Sequence, residues 1–132
     1  MEVYDSDGSG EDLMATEYTS YVIPLKETSE DASCSFKVYK QADQTILLQA
    51  SNGNYACRKD EGWGFQPIEA DVSTPVSSCY FKVHNLPDGK VALQADNGQY
   101  LSRVLRGSFN QMEAYQQEIN YFAKLTFYQS EN

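Results

Sequence analysis

Two short stretches of this chain set side-chain amides and carboxylates beside an aromatic ring. Asn52 and Asn54 flank a glycine ahead of Tyr55, and Asp96, Asn97 and Gln99 surround Gly98 ahead of Tyr100. Amides and carboxylates bond hydroxyl groups, and a ring face stacks on the apolar side of a sugar, so the chemistry within reach is reversible glycan binding. Trp63, the single tryptophan, stands between Gly62 and Gly64 and offers a larger face of the same kind. The competing account is structural: Asn-Gly is a turn signal between strands, and the tyrosines pack. That account explains each of the seven other residues by itself. For Trp63 the two accounts weigh equally, because Gly107 stands at the matching place elsewhere in the chain.

Other chemistries lack their parts. Nucleophilic hydrolysis needs a nucleophile and a base within reach, yet His84 is the only histidine and no Gly-x-Ser-x-Gly elbow occurs. His84 takes the same repeat position as Tyr39 and Tyr128, which marks it as a packing or surface slot. No Cys-x-x-Cys pair offers a zinc site. Asp5, Asp7, Ser9 and Gly10 open like a calcium-binding loop, but its twelfth position is Thr16 where a bidentate glutamate belongs, and no helix can precede it. The reading is a domain with no catalytic residues, no cofactor and no metal ion. Ser9, ahead of Glu11 and Asp12, matches an acid-directed kinase site.

The chain has 132 residues, enough for one domain with one core. Its net charge is −9, and nine of the nineteen acids lie in the first 33 residues against Lys26 alone. The remainder is almost neutral and carries no basic stripe, which argues against nucleic acid as a partner. Neither a membrane-spanning apolar run nor a signal peptide is visible, so the expected setting is cytoplasmic, or release without a signal peptide. Cys34, Cys57 and Cys79 are odd in number, and Cys34 and Cys79 share a repeat position in different lobes. The expectation is reduced thiols packed as small hydrophobes.

These residues must be positioned by a repeated unit. Leu48 to Arg58 returns as Leu93 to Arg103, Cys34-Ser35-Phe36-Lys37-Val38 as Cys79-Tyr80-Phe81-Lys82-Val83, and Phe65 to Ala70 as Phe109 to Ala114. Leu125-Thr126-Phe127 and Tyr21 to Lys26 supply parts of a further copy. An ungapped slide sets Val3 against Ile46, Gly10 against Gly53 and Leu13 against Ala56, and leaves Asp5 where Leu48 should be. Within each copy, Ile46, Leu48 and Ala50, or Val91, Leu93 and Ala95, share one strand face. Asn52-Gly53 and Asn97-Gly98 then predict tight primed turns with positive φ at both central residues, and Pro87-Asp88-Gly89 predicts another turn. Four strands in each of three copies give about twelve. The expected fold is all-β, a β-trefoil of three pseudo-repeats of about 45 residues, the first degenerate. Residues 1–17 are read as an acidic segment, disordered or supplying eroded first-repeat strands, and residues 18–132 as the trefoil.

The hydrophobic-x-Leu-x-Ala-x-Asn-Gly-x-Tyr pattern of residues 46–55 and 91–100, each behind a Phe-Lys-Val strand, resembles amaranthin-like agglutinin and fascin-like trefoils. The first resemblance implies a lectin-like domain that binds a glycan or glycoprotein at Asn52, Asn54, Tyr55, Trp63, Asp96, Asn97, Gln99 and Tyr100, with self-association into a homo-oligomer multiplying weak sites. The second implies an interaction module for actin or another protein scaffold, using Arg58, Lys59, Arg103 and Arg106. A third implication is the targeting domain of an aerolysin-like pore-forming protein, since agglutinin-like trefoils occur in such fusions. Fold alone selects none of these.

Overall fold

Side chains alternate across a strand, so each apolar triplet needs neighbours on its own side. The computed structural model describes residues 2–5, 12–14, 21–25, 36–87, 89–107, 109–120 and 123–128. Among them run β1 (Glu2–Asp5), β2 (Asp12–Met14), β3 (Ile23–Leu25), β4 (Lys37–Lys40), β5 (Thr45–Gln49) and β6 (Tyr55–Arg58). There follow β7 (Ile68–Val72), β8 (Phe81–Asn85), β9 (Val91–Gln94), β10 (Tyr100–Arg106), β11 (Phe109–Gln116) and β12 (Leu125–Tyr128). Single 3-10 turns occupy Ala42–Gln44 and Ser77–Cys79. The segments around Ser9, Gly10, Thr16 and Cys34, and Asp88 itself, lie outside the described residues.

Pairing follows one rule three times. In a front lobe β4 pairs with β5, β5 with β6, and β6 with β7. In a back lobe β8, β9, β10 and β11 pair in the same succession. The third lobe is split: β12 pairs with β1, β1 with β2, and β2 with β3, so residues from the two ends of the numbering lie side by side. Between lobes, Ile46 pairs with Phe81 and Val91 with Leu125. This is the β-trefoil expected from the repeat.

The ladder corrects the slide over the first residues. Leu13 pairs with Pro24 as Ala56 does with Ala70 and Leu101 with Ala114, so its place stands. Val3, however, faces Phe127 as Leu48 faces Val38 and Leu93 faces Val83. Val3 therefore takes the place of Leu48, not Ile46. The cause is length: Tyr4 pairs with Asp12, whereas Gln49 pairs with Tyr55 and Gln94 with Tyr100, so the β1–β2 connection is two residues longer.

The front and back lobes contribute alike to the described core. Phe36, Phe81 and Leu125 are buried beside Ile46, Leu48, Val91 and Leu93, and truncating either phenylalanine to alanine costs about 3–5 kcal/mol. At one end Val22, Ile68 and Met112 meet around the pseudo-threefold axis. The Val22 N–H donates to the Ile68 carbonyl at 2.8 Å, and the Met112 N–H donates to that of Val22 at 2.9 Å. The opposite end is bounded by the β4–β5 and β8–β9 turns, where the Gln41 N–H donates to Thr45 and the Leu86 N–H to Lys90.

The thiol expectation is overturned, because Cys57 and Cys79 form a disulfide. Ala56 faces the core, so Cys57 next to it points to the other side of β6, where the 3-10 turn carries Cys79 over it. Leu47, Tyr55 and Val72 complete a second small apolar cluster there. The 22-residue separation closes a loop worth about 3 kcal/mol on the chain-entropy scale. The counterparts in the back lobe are Ser102 and Ala123, both fully buried, and the Ser102 hydroxyl has no hydrogen-bond partner among the described residues.

Candidate functional site

The two Asn-Gly turns differ from the expected primed form. Only the glycines have positive φ, 86° at Gly53 and 84° at Gly98. Each loop holds three residues, closed by the Ala50 N–H bonding Asn54 and the Ala95 N–H bonding Gln99, each at 2.8 Å. This is the type I turn followed by a left-handed glycine. The asparagines earn that geometry with their side chains. Asn52 Oδ1 accepts from the Asn54 N–H at 2.9 Å, and its Nδ2 donates to the Ala70 carbonyl at 3.0 Å. Asn97 Oδ1 accepts from the Gln99 N–H at 3.0 Å, while its Nδ2 donates to Gln66 Oε1 at 2.6 Å.

Asp96 is also engaged. Arg58 of the front lobe grips its carboxylate through Nε at 2.5 Å and Nη2 at 3.1 Å, and donates from Nη1 to Gln66 Oε1 at 3.0 Å. Those bonds hold the Asp96 carboxyl below its ordinary range, against the opposing effect of burial. Gln66 thus joins both lobes, a role that no local pattern encodes. Two further bases are paired: Lys59 with Asp71 at 2.8 Å and Arg106 with Glu113 at 2.7 Å.

Tyr55 and Tyr100 belong to a matching slot in each lobe. Gln49 donates from Nε2 to the Gly53 carbonyl, and its Oε1 accepts from the Tyr39 hydroxyl at 3.0 Å, with Tyr39 against Tyr55. Gln94 donates to Gly98, and its Oε1 lies 2.9 Å from His84 Nε2, with His84 edge-on to Tyr100. Gln94 Oε1 is an acceptor, so a proton on His84 Nε2 completes this contact in the way the Tyr39 hydroxyl does in the front lobe. Asn54 and Gln99 are half-buried, and no described residue bonds their side-chain amides.

Trp63 stands apart from all seven. The β6–β7 hairpin continues beyond its strands through Lys59 to Pro67 and Glu61 to Phe65 backbone bonds, and the Phe65 N–H closes on Gly62. Its tip is Gly62-Trp63-Gly64, with φ of 83°, 55° and 75° in succession. Left-handed backbone is ordinary for glycine and strained for tryptophan. The matching residue of the back lobe is Gly107, at 63°. Trp63 has a relative exposure of 103%, the full surface of its side chain.

Beside it are groups that the sequence did not assign to a glycan site. Asp60 accepts from the Gly62 N–H at 3.1 Å, Glu61 accepts from the Tyr21 hydroxyl at 3.5 Å, and Phe65 stacks on Tyr21 with centroids 6.4 Å apart. Arg106 lies 5.3 Å over the Phe65 ring. Burial, then the charges of Glu69 and Glu61, pushes the Tyr21 hydroxyl above the ordinary phenol value. The surface so formed is an aromatic tip with two carboxylates at its base. Asp96 and Asn97 adjoin its stem through Gln66, whereas Asn52, Asn54 and Tyr55 surround a separate turn.

No family model matches this chain, and no curated protein matches it. Among solved structures it is similar to a designed 3-fold symmetric protein, ThreeFoil, with a TM-score of 0.80 and 13% identity over 95% of this chain and 94% of that one. A likeness at that identity speaks for the fold alone. Among the described residues no helix is long and apolar enough to cross a membrane.

Proposed function

We propose that this trefoil is a non-catalytic carbohydrate-binding domain that contacts its glycan through the Trp63 hairpin. The observation that carries the reading is a fully exposed tryptophan at a backbone position where the sister lobe has glycine. An indole face stacks on the C–H side of a pyranose, and carboxylates such as those of Asp60 and Glu61 accept hydrogen bonds from its hydroxyls. The Asn-Gly turns take a supporting role, because Asn52, Asn97 and Asp96 are engaged within the domain. Asn54 and Gln99 are the members of that set with amides left to offer.

The scaffold-binding alternative would rest on Arg58, Lys59, Arg103 and Arg106, and three of these, Arg58, Lys59 and Arg106, have acidic partners inside the domain. A targeting role in a pore-forming protein would use the same glycan contact. The test is a glycan array with the intact protein and Trp63→Ala. Saturable binding to related glycans, competed by free sugar and lost in the variant at unchanged melting temperature, supports the proposal. Binding that survives in Trp63→Ala removes the hairpin from the site, and a blank array with folded protein removes the lectin reading.

A further inference from the structure

The barrel end remote from Val22, Ile68 and Met112 opens into a cleft of about 410 Å³ between the front and back lobes. Its floor is apolar and repeats itself: Val38 and Ile46 from β4 and β5, Val83 and Val91 from β8 and β9. Its rim is polar and does not repeat. Lys40 faces the cleft where the back lobe has Asn85, and Gln44 lines it where the back lobe has Gly89.

Gln44 is the telling residue. Gly89 has φ of 77°, and Gln44 adopts the same left-handed backbone at 63°, directly after Asp43 at 59°. A glycine would take that conformation freely, whereas glutamine is strained there. The strain accompanies a side chain placed on the lip of a cleft. Lys40 makes no ion pair with any described residue, and no described carboxylate lines the cleft, although the chain as a whole carries −9. An ammonium with no ion pair among the described residues, flanking amides and an apolar floor complement one kind of molecule.

We propose that this barrel-end cleft binds a small amphipathic monocarboxylate, its carboxylate at Lys40 and Gln44 and its apolar body on Val38, Ile46, Val83 and Val91. The site is separate from the Trp63 hairpin and does not depend on the glycan reading.

Octanoate is a suitable probe and octanol its neutral control. In methyl-resolved NMR, octanoate should shift Val38, Ile46, Val83 and Val91 saturably, and octanol should do so more weakly. Lys40→Met should weaken octanoate binding about two- to fivefold, the size of one exposed ion pair, and leave octanol unchanged. Gln44→Gly should weaken octanoate binding while raising the melting temperature, a combination that a purely structural role for Gln44 would not produce. Octanoate shifts at none of these methyls overturn the proposal. So does undiminished octanoate binding by folded Lys40→Met.

Discussion

Removing the Arg58 guanidinium should unfasten the front lobe from the back lobe, and pH should reveal how. Arg58 makes two bonds to Asp96 and one to Gln66, which in turn accepts from Asn97. Bonds to charged groups contribute about 1.5–3 kcal/mol when well shielded. Here the side chains retain 17% and 29% of their exposure, and solvent screening reduces the figure to about 1–2 kcal/mol. Arg58→Met keeps most of the aliphatic stem and should lower the melting temperature by about 3–8 °C at neutral pH. Asp96→Asn should cost about as much, and the double variant little more, because both remove one interaction. The folded-state pKa of Asp96 is depressed by Arg58. Its contribution is therefore complete above the unfolded-state value near 3.9 and disappears as pH falls through the lower folded value. Wild type and Arg58→Met should accordingly converge in acid. Thermal melts followed by circular dichroism across that range decide the matter. An Arg58→Met deficit that persists unchanged in acid refutes the ion-pair account and leaves only lost packing.

Ser102→Cys with Ala123→Cys should install a second disulfide at the pseudo-symmetric place of Cys57–Cys79. It should add about 3 kcal/mol, since the closed loop is of similar length, as read from melts with and without reductant. His84→Tyr should fold normally and change stability by less than about 1 kcal/mol, because Tyr39 fills the equivalent slot with the same bond to a glutamine; a larger loss in denaturant titration refutes that equivalence. Trp63 is the single fluorophore of its kind and fully exposed. Its emission should already resemble that of unfolded chain, and acrylamide should quench it as readily in folded as in denatured protein.

The sequence made the architecture readable wherever a signal was local. Alternation at Ile46-Leu48-Ala50 and Val91-Leu93-Ala95 fixed which faces are buried, and the recurrence around Asn52-Gly53 and Asn97-Gly98 located the turns. The turn type was misread because Asn52 and Asn97 stabilise a three-residue loop with their side chains, which leaves positive φ to glycine alone. The partner of Cys57 was hidden for a different reason. Cys79 is brought to it by the 3-10 turn that links two lobes, and spacing carries no record of that approach. Arg58 and Asp96 are likewise 38 residues apart and meet only after the lobes associate. The candidate site was partly visible in a contrast between copies: tryptophan at residue 63 faces glycine at 107. The parallel contrast at Gln44 and Gly89 needed the observed φ values to acquire meaning.

The split third lobe sets an order of events during synthesis. Among the described strands β1 emerges from the ribosome before the others, yet its ladder partner β12 follows about 120 residues later. At roughly 5–20 residues per second that interval is about 6–24 s. The front and back lobes can each pair internally as they emerge, and β1 can pair with β2 at Tyr4 and Asp12, while the β12 side of β1 waits open. An acidic leading segment is well suited to such a wait, because mutual repulsion discourages an unpaired edge from joining another nascent chain. Closure of the barrel is then a single late event that brings the oldest and the youngest strands together.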